Sequence, residues 1–173
     1  KKMDGGKNAY ESVVEELKVL KMMDHPNIIW LNEIIDDPKK HTLYVVTEWY
    51  TKGSLEQMLE EKNRNKVVRV GLPISDVRNY FIDMLKALHY CHNIARVIHR
   101  DIKPDNIMIN HNNEAVLIDF GVSALKGIDD VMNNKLGTLM FFAPEMFLQT
   151  KQIKGHGTDL WALGITFFIV LTG

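Results

Sequence analysis

Near the start of the chain, three apolar residues recur at helical spacing. The stripe is formed by Val13, Leu17 and Leu20. It predicts a helix that Asn8 caps and that runs to about Met23. Glu16 lies on the same side as the stripe, so its carboxylate points inward and needs a cation, because an unpaired buried charge is costly. The alternative is a carboxylate at the margin of the stripe that reaches water.

Short runs of β-branched and other apolar residues predict strands further along the chain. Residues 28–34 and 42–48 indicate two strands joined by a turn. In the stretch 97–109, two apolar runs flank five ionisable side chains, which predicts two short buried strands with a rigid charged loop between them. Residues 115–121 form another apolar run, and this one ends in an aspartate and a glycine.

Helical patterns follow the first two strands. Ser54 caps a helix predicted to run through Leu59, and Ser75 caps a longer one. The apolar positions of the longer helix are Val77, Phe81, Met84, Leu85 and Leu88. This helix also carries His89 and His92, three residues apart. They could both face a metal ion, but the sequence offers no further cluster of ligands to support that alternative.

The last apolar run, residues 160–173, is too short to span a bilayer, which takes about 20 residues. Its residues are apolar on all sides, which predicts a helix buried at the centre of a domain. Such a helix must be covered on every face. We therefore expect the chain to be incomplete at this end.

Composition and charge indicate one soluble domain. The chain has 173 residues, of which 46% are hydrophobic, enough to bury a core. A formal net charge of −1 gives no overall attraction to nucleic acid or to membranes, so we expect neither as a partner. The basic segment 60–71 is predicted to be a solvated loop. The single cysteine, Cys91, is predicted to be a buried hydrophobe. Together with the lack of a signal-like amino terminus, it favours a cytoplasmic location.

The charged loops carry residues suited to phosphoryl transfer. Asp119 and Asn106 offer the hard oxygen ligands that Mg²⁺ accepts. Lys103 projects on the same side of the extended loop as Asp101 and would neutralise a transferring phosphoryl group. Asp101 would then accept a proton from an attacking hydroxyl.

These loops resemble the motifs of the protein kinases. HRDIKPDN at 99–106 looks like their catalytic loop, DFG at 119–121 like their magnesium loop, and APE at 143–145 like the end of their activation segment. DLWALG at 159–164 resembles the start of their central helix. The resemblance covers essentially the whole chain and implies an α+β, two-lobed protein-kinase-like fold.

The resemblance implies a role for each of five residues. Asp101 matches the catalytic base and Lys103 the lysine on the transferred phosphate. Asn106 and Asp119 match the Mg²⁺ ligands. Glu16 matches the helix glutamate that pairs with a strand lysine.

The resemblance also implies an ATP site. Glu48, Trp49 and Tyr50 fall where the hinge backbone of the family hydrogen-bonds adenine. Met108 looks like the residue beneath the adenine ring, and Ser54 is placed among the nucleotide-binding residues. A column of apolar contacts linking the lobes is implied as well, formed by Leu20, Leu31, His99 and Phe120.

As a kinase domain, the chain is expected to be incomplete at both ends. Residues 1–49 match part of the amino-terminal β lobe, and residues 50–173 match a mainly helical carboxyl-terminal lobe that stops in its central helix. The glycine-rich strand pair and the lysine partner of Glu16 would precede this sequence. Lys1 and Lys2 lack an apolar strand around them, so neither is assigned that role.

Lys103 indicates a serine/threonine kinase, because tyrosine kinases usually lack a lysine there. The segments IIDDPKK, SALKGIDD and GTLMFFAPE most resemble the calcium/calmodulin-dependent protein kinase kinases. This implies protein substrates with Ser or Thr acceptors, and calmodulin as a partner through a segment outside this sequence. The rival interpretation is a non-catalytic kinase-like module that binds partners.

The activation segment lacks the usual phosphate acceptors. No Ser, Thr or Tyr occurs between Ala124 and Gly137, so a phosphate that would pair with Arg100 cannot form there. Our hypothesis is that Asp129 or Asp130 lies near Arg100 and that the loop needs no activating phosphorylation. The alternative is that both carboxylates only solvate a surface loop.

Overall fold

The computed structural model describes residues 7–37, 42–125, 131–132, 136–148 and 153–173. These segments contain four α-helices: α1 Lys7–Lys21, α2 Leu55–Asn63, α3 Ile74–His89 and α4 Gly155–Thr172. α3 continues directly into a π-helical turn, Tyr90–Ala95. Short 3-10 turns occur at Pro104–Asn106, Leu139–Phe141 and Pro144–Met146.

Eight short strands pair as four two-stranded antiparallel ladders in the described residues. The ladders are β1 Leu31–Asp37 with β2 Thr42–Thr47, β3 Val97–Ile98 with β6 Ala124–Leu125, β4 Ile107–Ile109 with β5 Ala115–Leu117, and β7 Val131–Met132 with β8 Ile153–Lys154. The combination of helices with small antiparallel sheets confirms the α+β prediction. It also confirms the short strands on either side of the charged loop.

β1 begins later than the apolar run at 28–34 indicates. Ile28 forms a parallel bridge with Leu117, and the Ile29 N–H donates to the Leu117 carbonyl at 2.9 Å. The carbonyl of Asn27 accepts from the Leu117 N–H, also at 2.9 Å. The first residues of the run therefore tie the chain to β5, and only the later ones pair with β2.

Two of the predicted helix caps are wrong, because each residue is the second one inside its helix. α1 begins at Lys7, so Asn8 lies within the helix. α3 begins at Ile74, so Ser75 lies in its first turn. The capping position there belongs to Pro73, whose φ of −57° and ψ of 133° already provide the extended backbone that a cap requires.

The buried face of α3 agrees with three of the five predicted positions, Val77, Met84 and Leu88, and differs at the other two. Phe81 and Leu85 are 36% and 39% exposed, whereas Tyr80 and Ala87 are fully buried. The core is therefore centred closer to Tyr80, between α3, the hairpin of β4 and β5, and α4. Cys91 is buried as predicted, and burial raises the pKa of its thiol to about 12.

α4 confirms the helix predicted in the last apolar run, but not its burial on every side. Ala162, Leu163, Phe167 and Val170 face α2, α3 and the charged loop. The opposite face carries exposed apolar side chains: Leu160, Trp161, Phe168 and Leu171. Within the described ranges, no helix has both the length and the apolar character needed to cross a bilayer.

The contact between the end of α4 and the loop before α3 requires a glycine. A methyl group on Gly71 would overlap the backbone carbonyl of Leu171, which cannot move aside as a side chain can. We expect Gly71→Ala to lower the free energy of unfolding of the intact protein by about 1–3 kcal/mol, measured by urea denaturation. Gly164→Ala is the matched control, because a methyl group there meets nothing within 4 Å. If both variants unfold alike, this account of Gly71 is wrong.

Candidate functional site

A buried carboxylate in α4 fixes the charged loop between β3 and β4. Asp159 is 1% exposed, and its Oδ1 accepts from the backbone N–H of Arg100 at 2.8 Å. Its Oδ2 accepts from the backbone N–H of His99 at 2.9 Å and lies 2.7 Å from Nε2 of His92. These bonds hold Arg100 at a φ of 68°, which a non-glycine residue adopts only under constraint.

The contact with Asp159 gives His92 a structural role. Nδ1 of His89 instead lies 3.2 Å from the side-chain amide nitrogen of Asn93. No cluster of three or more His, Cys, Asp or Glu side chains that could hold a metal occurs in the described part of the chain. The two histidines therefore have different partners, Asp159 for His92 and Asn93 for His89.

The imidazole of His99 joins the two charged loops. It is fully buried, and its Nε2 donates to the carbonyl of Ile118 at 3.0 Å while its Nδ1 accepts from the Asp101 N–H at 3.3 Å. Its ring packs edge-on against Phe120 with centroids 4.8 Å apart. Burial lowers the pKa of His99, which favours the neutral ring that this donor and acceptor pattern needs.

Asp101 lies at the centre of a dense hydrogen-bond network. Its Oδ1 accepts from the backbone N–H and hydroxyl of Thr138, at 2.9 and 2.7 Å. Its Oδ2 accepts from Lys103 Nζ at 2.8 Å and from Asn106 Nδ2 at 3.0 Å. Burial alone would raise the pKa of Asp101, but the bonds from Lys103 and Thr138 outweigh it, so the pKa is lowered. The carboxylate is thus held ionised.

Thr138 is a site residue that the sequence analysis missed. Its hydroxyl also accepts from Lys103 Nζ at 2.8 Å, so it connects Asp101 and Lys103. The preceding Gly137 has a φ of 113°, and a side chain there would overlap the carbonyl of Arg100. The glycine followed by a hydroxyl residue, just before an apolar run, was the available signal.

A second carboxylate lies where the DFG sequence turns. Asp119 has a φ of 61°, and its Oδ1 accepts from the Gly121 N–H at 3.2 Å. A methyl group on Gly121 would lie 3.0 Å from this oxygen and 3.5 Å from Oε2 of Glu16. Glu16 on α1 and Asp119 thus approach the same point, and both line a cavity of about 220 Å³ that extends to Thr47. Two converging carboxylates favour a cation.

The donor set around Asp119 fits Mg²⁺. The carbonyl of Asn106 accepts from the Ile118 N–H at 2.9 Å, which places Asn106 beside the residue before Asp119. The side-chain nitrogen of Asn106 donates to the backbone carbonyl of Asp101 at 2.8 Å, so its amide oxygen is the atom available to a cation. One amide oxygen and one carboxylate are ligands that Mg²⁺ accepts.

The segment after β2 contains the predicted adenine-binding residues. The hydroxyl of Tyr50 donates to Oε2 of Glu48 at 2.8 Å, and burial together with that carboxylate raises the pKa of Tyr50. Tyr50 is buried, whereas Trp49 is 87% exposed. The side chain of Tyr50 therefore points into the protein, whereas that of Trp49 points into solvent.

Ser54 and Met108 are neighbours across an isolated antiparallel bridge. The hydroxyl of Ser54 accepts from the Gln57 N–H at 3.2 Å, and the Gln57 side chain accepts from the Ser54 N–H at 2.9 Å. This capping box confirms the predicted start of α2, which runs to Asn63 rather than Leu59. Ser54 is 5% exposed, so the structure gives its hydroxyl a capping role, and its contact with a nucleotide stays a prediction.

Some predicted positions are not covered by the described segments. Asp129 and Asp130 lie outside the described residues, as do Lys1 and Lys2. All four residues of the column predicted between the lobes are described: Leu20 and Phe120 are buried in one cluster with Leu31 packed against it, and His99 packs edge-on against Phe120.

Comparisons with known proteins agree with this arrangement. The family model described as the protein kinase domain matches residues 1–173. A probable serine/threonine-protein kinase of Dictyostelium discoideum is 34% identical over 96% of this chain and 22% of its own length. A calcium/calmodulin-dependent protein kinase kinase of Caenorhabditis elegans is 34% identical over 96% of this chain and 30% of its own length.

A third similar protein is a serine/threonine-protein kinase of Schizosaccharomyces pombe, 34% identical over 95% of this chain and 45% of its own length. The chain therefore spans less than half the length of each of these relatives.

The role of Asp159 can be measured directly. Asp159→Asn places an amide N–H₂ against N–H donors, so we expect the free energy of unfolding of the intact protein to fall by about 3–5 kcal/mol. The control is Asp36→Asn, because Asp36 is exposed on β1 and should change stability by less than about 0.5 kcal/mol. Equal stability of the two variants, measured by urea denaturation, would contradict the anchoring role.

Proposed function

The chain belongs to the protein kinase family, and on that premise we propose that the intact protein transfers the γ-phosphate of ATP to serine or threonine hydroxyls of protein substrates. Two of the relatives are named as a serine/threonine-protein kinase and a probable serine/threonine-protein kinase. The observation that carries the proposal is the network that joins Asp101, Lys103, Asn106 and Thr138. It brings the Asp101 carboxylate, the Lys103 ammonium group and the side-chain amide of Asn106 to one place.

In this proposal Asp101 orients the acceptor hydroxyl. Its lowered pKa keeps it ionised, so it accepts a hydrogen bond from the substrate and is a weak base. Catalysis then comes mainly from positioning and charge neutralisation. Lys103, 2.8 Å from Asp101, supplies positive charge beside the point of attack.

Protein kinases use ATP with Mg²⁺. We propose that Asn106 and Asp119 hold the metal, which when bound neutralises phosphate charge. Glu16 would pair with a lysine. The carboxylates of Glu16 and Asp119 approach the same point, which favours a positive charge there. Adenine would be bound by the backbone of 48–50, with Met108 beneath the ring.

The division into lobes follows from the same premise. We place α1 and the β1–β2 hairpin in the amino-terminal lobe, residues 1–49, and the remaining elements in the carboxyl-terminal lobe, residues 50–173. The hinge then coincides with the exposed Trp49. We propose a cytoplasmic location, because the one cysteine of this sequence, Cys91, is buried and forms no disulfide.

A narrower proposal concerns signalling. We propose that the protein acts in a calcium/calmodulin-type cascade, supported by the similarity to the Caenorhabditis elegans relative and by the segments SALKGIDD and GTLMFFAPE. Calmodulin would act through a segment outside this sequence. Phosphoryl transfer measured with and without Ca²⁺ and calmodulin tests this point separately from the kinase activity itself.

The kinase activity is tested by transfer of labelled γ-phosphate from ATP and Mg²⁺ to a mixed-sequence Ser/Thr peptide library. We expect Asp101→Asn to lower kcat about 10²–10⁴-fold with little change in nucleotide affinity, because it removes the group that orients the hydroxyl. Asp119→Asn should instead weaken Mg²⁺-dependent ADP binding, measured by calorimetry. Asp36→Asn is the control and should match the wild type.

Two outcomes would overturn the proposal. If the Asp101→Asn variant transfers phosphate as fast as the wild type, Asp101 takes no part in the reaction. Nucleotide binding without any transfer would favour the rival interpretation, a kinase-like binding module.

Thr138 offers a pH-dependent test. Its hydroxyl helps to lower the pKa of Asp101, so Thr138→Val should raise that pKa. Activity needs ionised Asp101 and is lost as the pH falls through this pKa, so the acid limb of the kcat/KM profile should move to higher pH. Loss of the bond should also lower kcat about tenfold. Thr138→Ser keeps the hydroxyl and should retain the wild-type profile; an unshifted limb in Thr138→Val would disprove the link.

A further inference from the structure

The beginning of the activation segment is attached to the catalytic loop by unmodified residues. Nη2 of Arg100 donates to the backbone carbonyl of Ser123 at 3.0 Å. The next residues, Ala124–Leu125, form β6 and pair with β3, which leads directly into the catalytic loop. Arg100 Nε is buried and has no partner among the described residues, so the Ser123 carbonyl is the acceptor that holds this guanidinium.

The end of the same segment is attached to the catalytic loop independently. Thr138 donates twice to Asp101, through its N–H and its hydroxyl. Gly137 lies so close to the carbonyl of Arg100 that no side chain fits there. Between these ends, Val131–Met132 pairs with Ile153–Lys154 through the backbone. The segment is thus held at three places by contacts that need no modification.

Phosphate acceptors are absent from the stretch that would normally carry one. No Ser, Thr or Tyr occurs between Ala124 and Gly137. The two hydroxyls that bracket the stretch already have partners: Ser123 Oγ donates to the Phe120 carbonyl at 2.6 Å, and Thr138 Oγ1 donates to Asp101 at 2.7 Å. A phosphate on either hydroxyl would break its hydrogen bond, to the Phe120 carbonyl or to Asp101, and the site depends on these bonds.

We infer that this kinase is active as synthesised, with Arg100 acting as a positioning residue that holds the backbone carbonyl of Ser123 instead of receiving a phosphate. The inference rests on the proposed kinase function and adds its mode of regulation. In kinases that need a phosphate, the new charge–charge contacts order the activation segment. Here the Arg100–Ser123 bond, the β3–β6 ladder and the Thr138–Asp101 bonds provide that order.

The test compares four variants of the intact protein, each with and without prior treatment by a broad-specificity protein phosphatase. The variants are wild type, Arg100→Ala, Arg100→Lys and Arg78→Ala, the last a control that removes an exposed arginine of α3. Two quantities are measured: kcat for peptide phosphorylation, and hydrogen exchange of the peptide that contains Ala124–Leu125. Mass spectrometry confirms that the treated protein carries no phosphate.

We expect phosphatase to change neither kcat nor exchange in the wild type by more than about twofold. Arg100→Ala should lower kcat about tenfold, treated or not, because one charge-assisted hydrogen bond is lost. It should also speed exchange at Ala124–Leu125. Arg100→Lys keeps a cationic donor and should recover part of both effects, and Arg78→Ala should match the wild type.

Other results would overturn the inference. If phosphatase lowers wild-type kcat tenfold or speeds exchange at Ala124–Leu125, a phosphate orders the segment. If Arg100→Ala leaves exchange unchanged, Arg100 does not hold Ser123. Should the wild type transfer no phosphate in either state, the proposed function fails, and the exchange data still decide whether the segment is ordered without modification.

Discussion

The site depends on the burial of one carboxylate, Asp159. An ionised group in the core is stable only when hydrogen-bond donors surround it, and here the donors are the backbone N–H groups of His99 and Arg100 together with the ring of His92. The cost of burying the charge is therefore offset only if the catalytic loop adopts this one path. The left-handed backbone of Arg100 is a consequence of that requirement.

The geometry at Asp101 follows from this constraint. With the backbone of 99–101 fixed, the carboxylate of Asp101 projects toward Lys103, Asn106 and Thr138, each within hydrogen-bond distance. Lys103 and Asn106 belong to the same loop as Asp101, and Thr138 belongs to the activation segment. The position and the ionisation state of the carboxylate are thus set by the same contacts.

Much of this could be predicted from local sequence. Apolar runs beside charged residues identified the loops at Asp101 and Asp119, and the family resemblance supplied their roles. Asp159 and Thr138 gained no individual role from sequence because their partners lie far away in the chain, and spacing rules describe only neighbours. The later start of β1 has the same origin. Ile28 and Ile29 have strand-forming side chains, but tertiary contacts determine that they pair with Leu117.

The exposed face of α4 shows a different limit. A uniformly apolar helix gives no periodicity from which its buried side can be identified, so Leu163 and Phe168 look equivalent in sequence although only the first is buried. For α3 the periodicity identified Val77, Met84 and Leu88 correctly, whereas Phe81 and Leu85 lie at the edge of the buried face.

The single imidazole of His99 has a consequence for how the two loops move. It donates to the residue before Asp119 and accepts from the N–H of Asp101, so neither loop can shift without breaking a buried hydrogen bond to the other. The two loops are therefore thermodynamically linked: whatever ligand favours one position of Asp119 favours the matching position of Asp101 to the same degree, and the reverse holds equally.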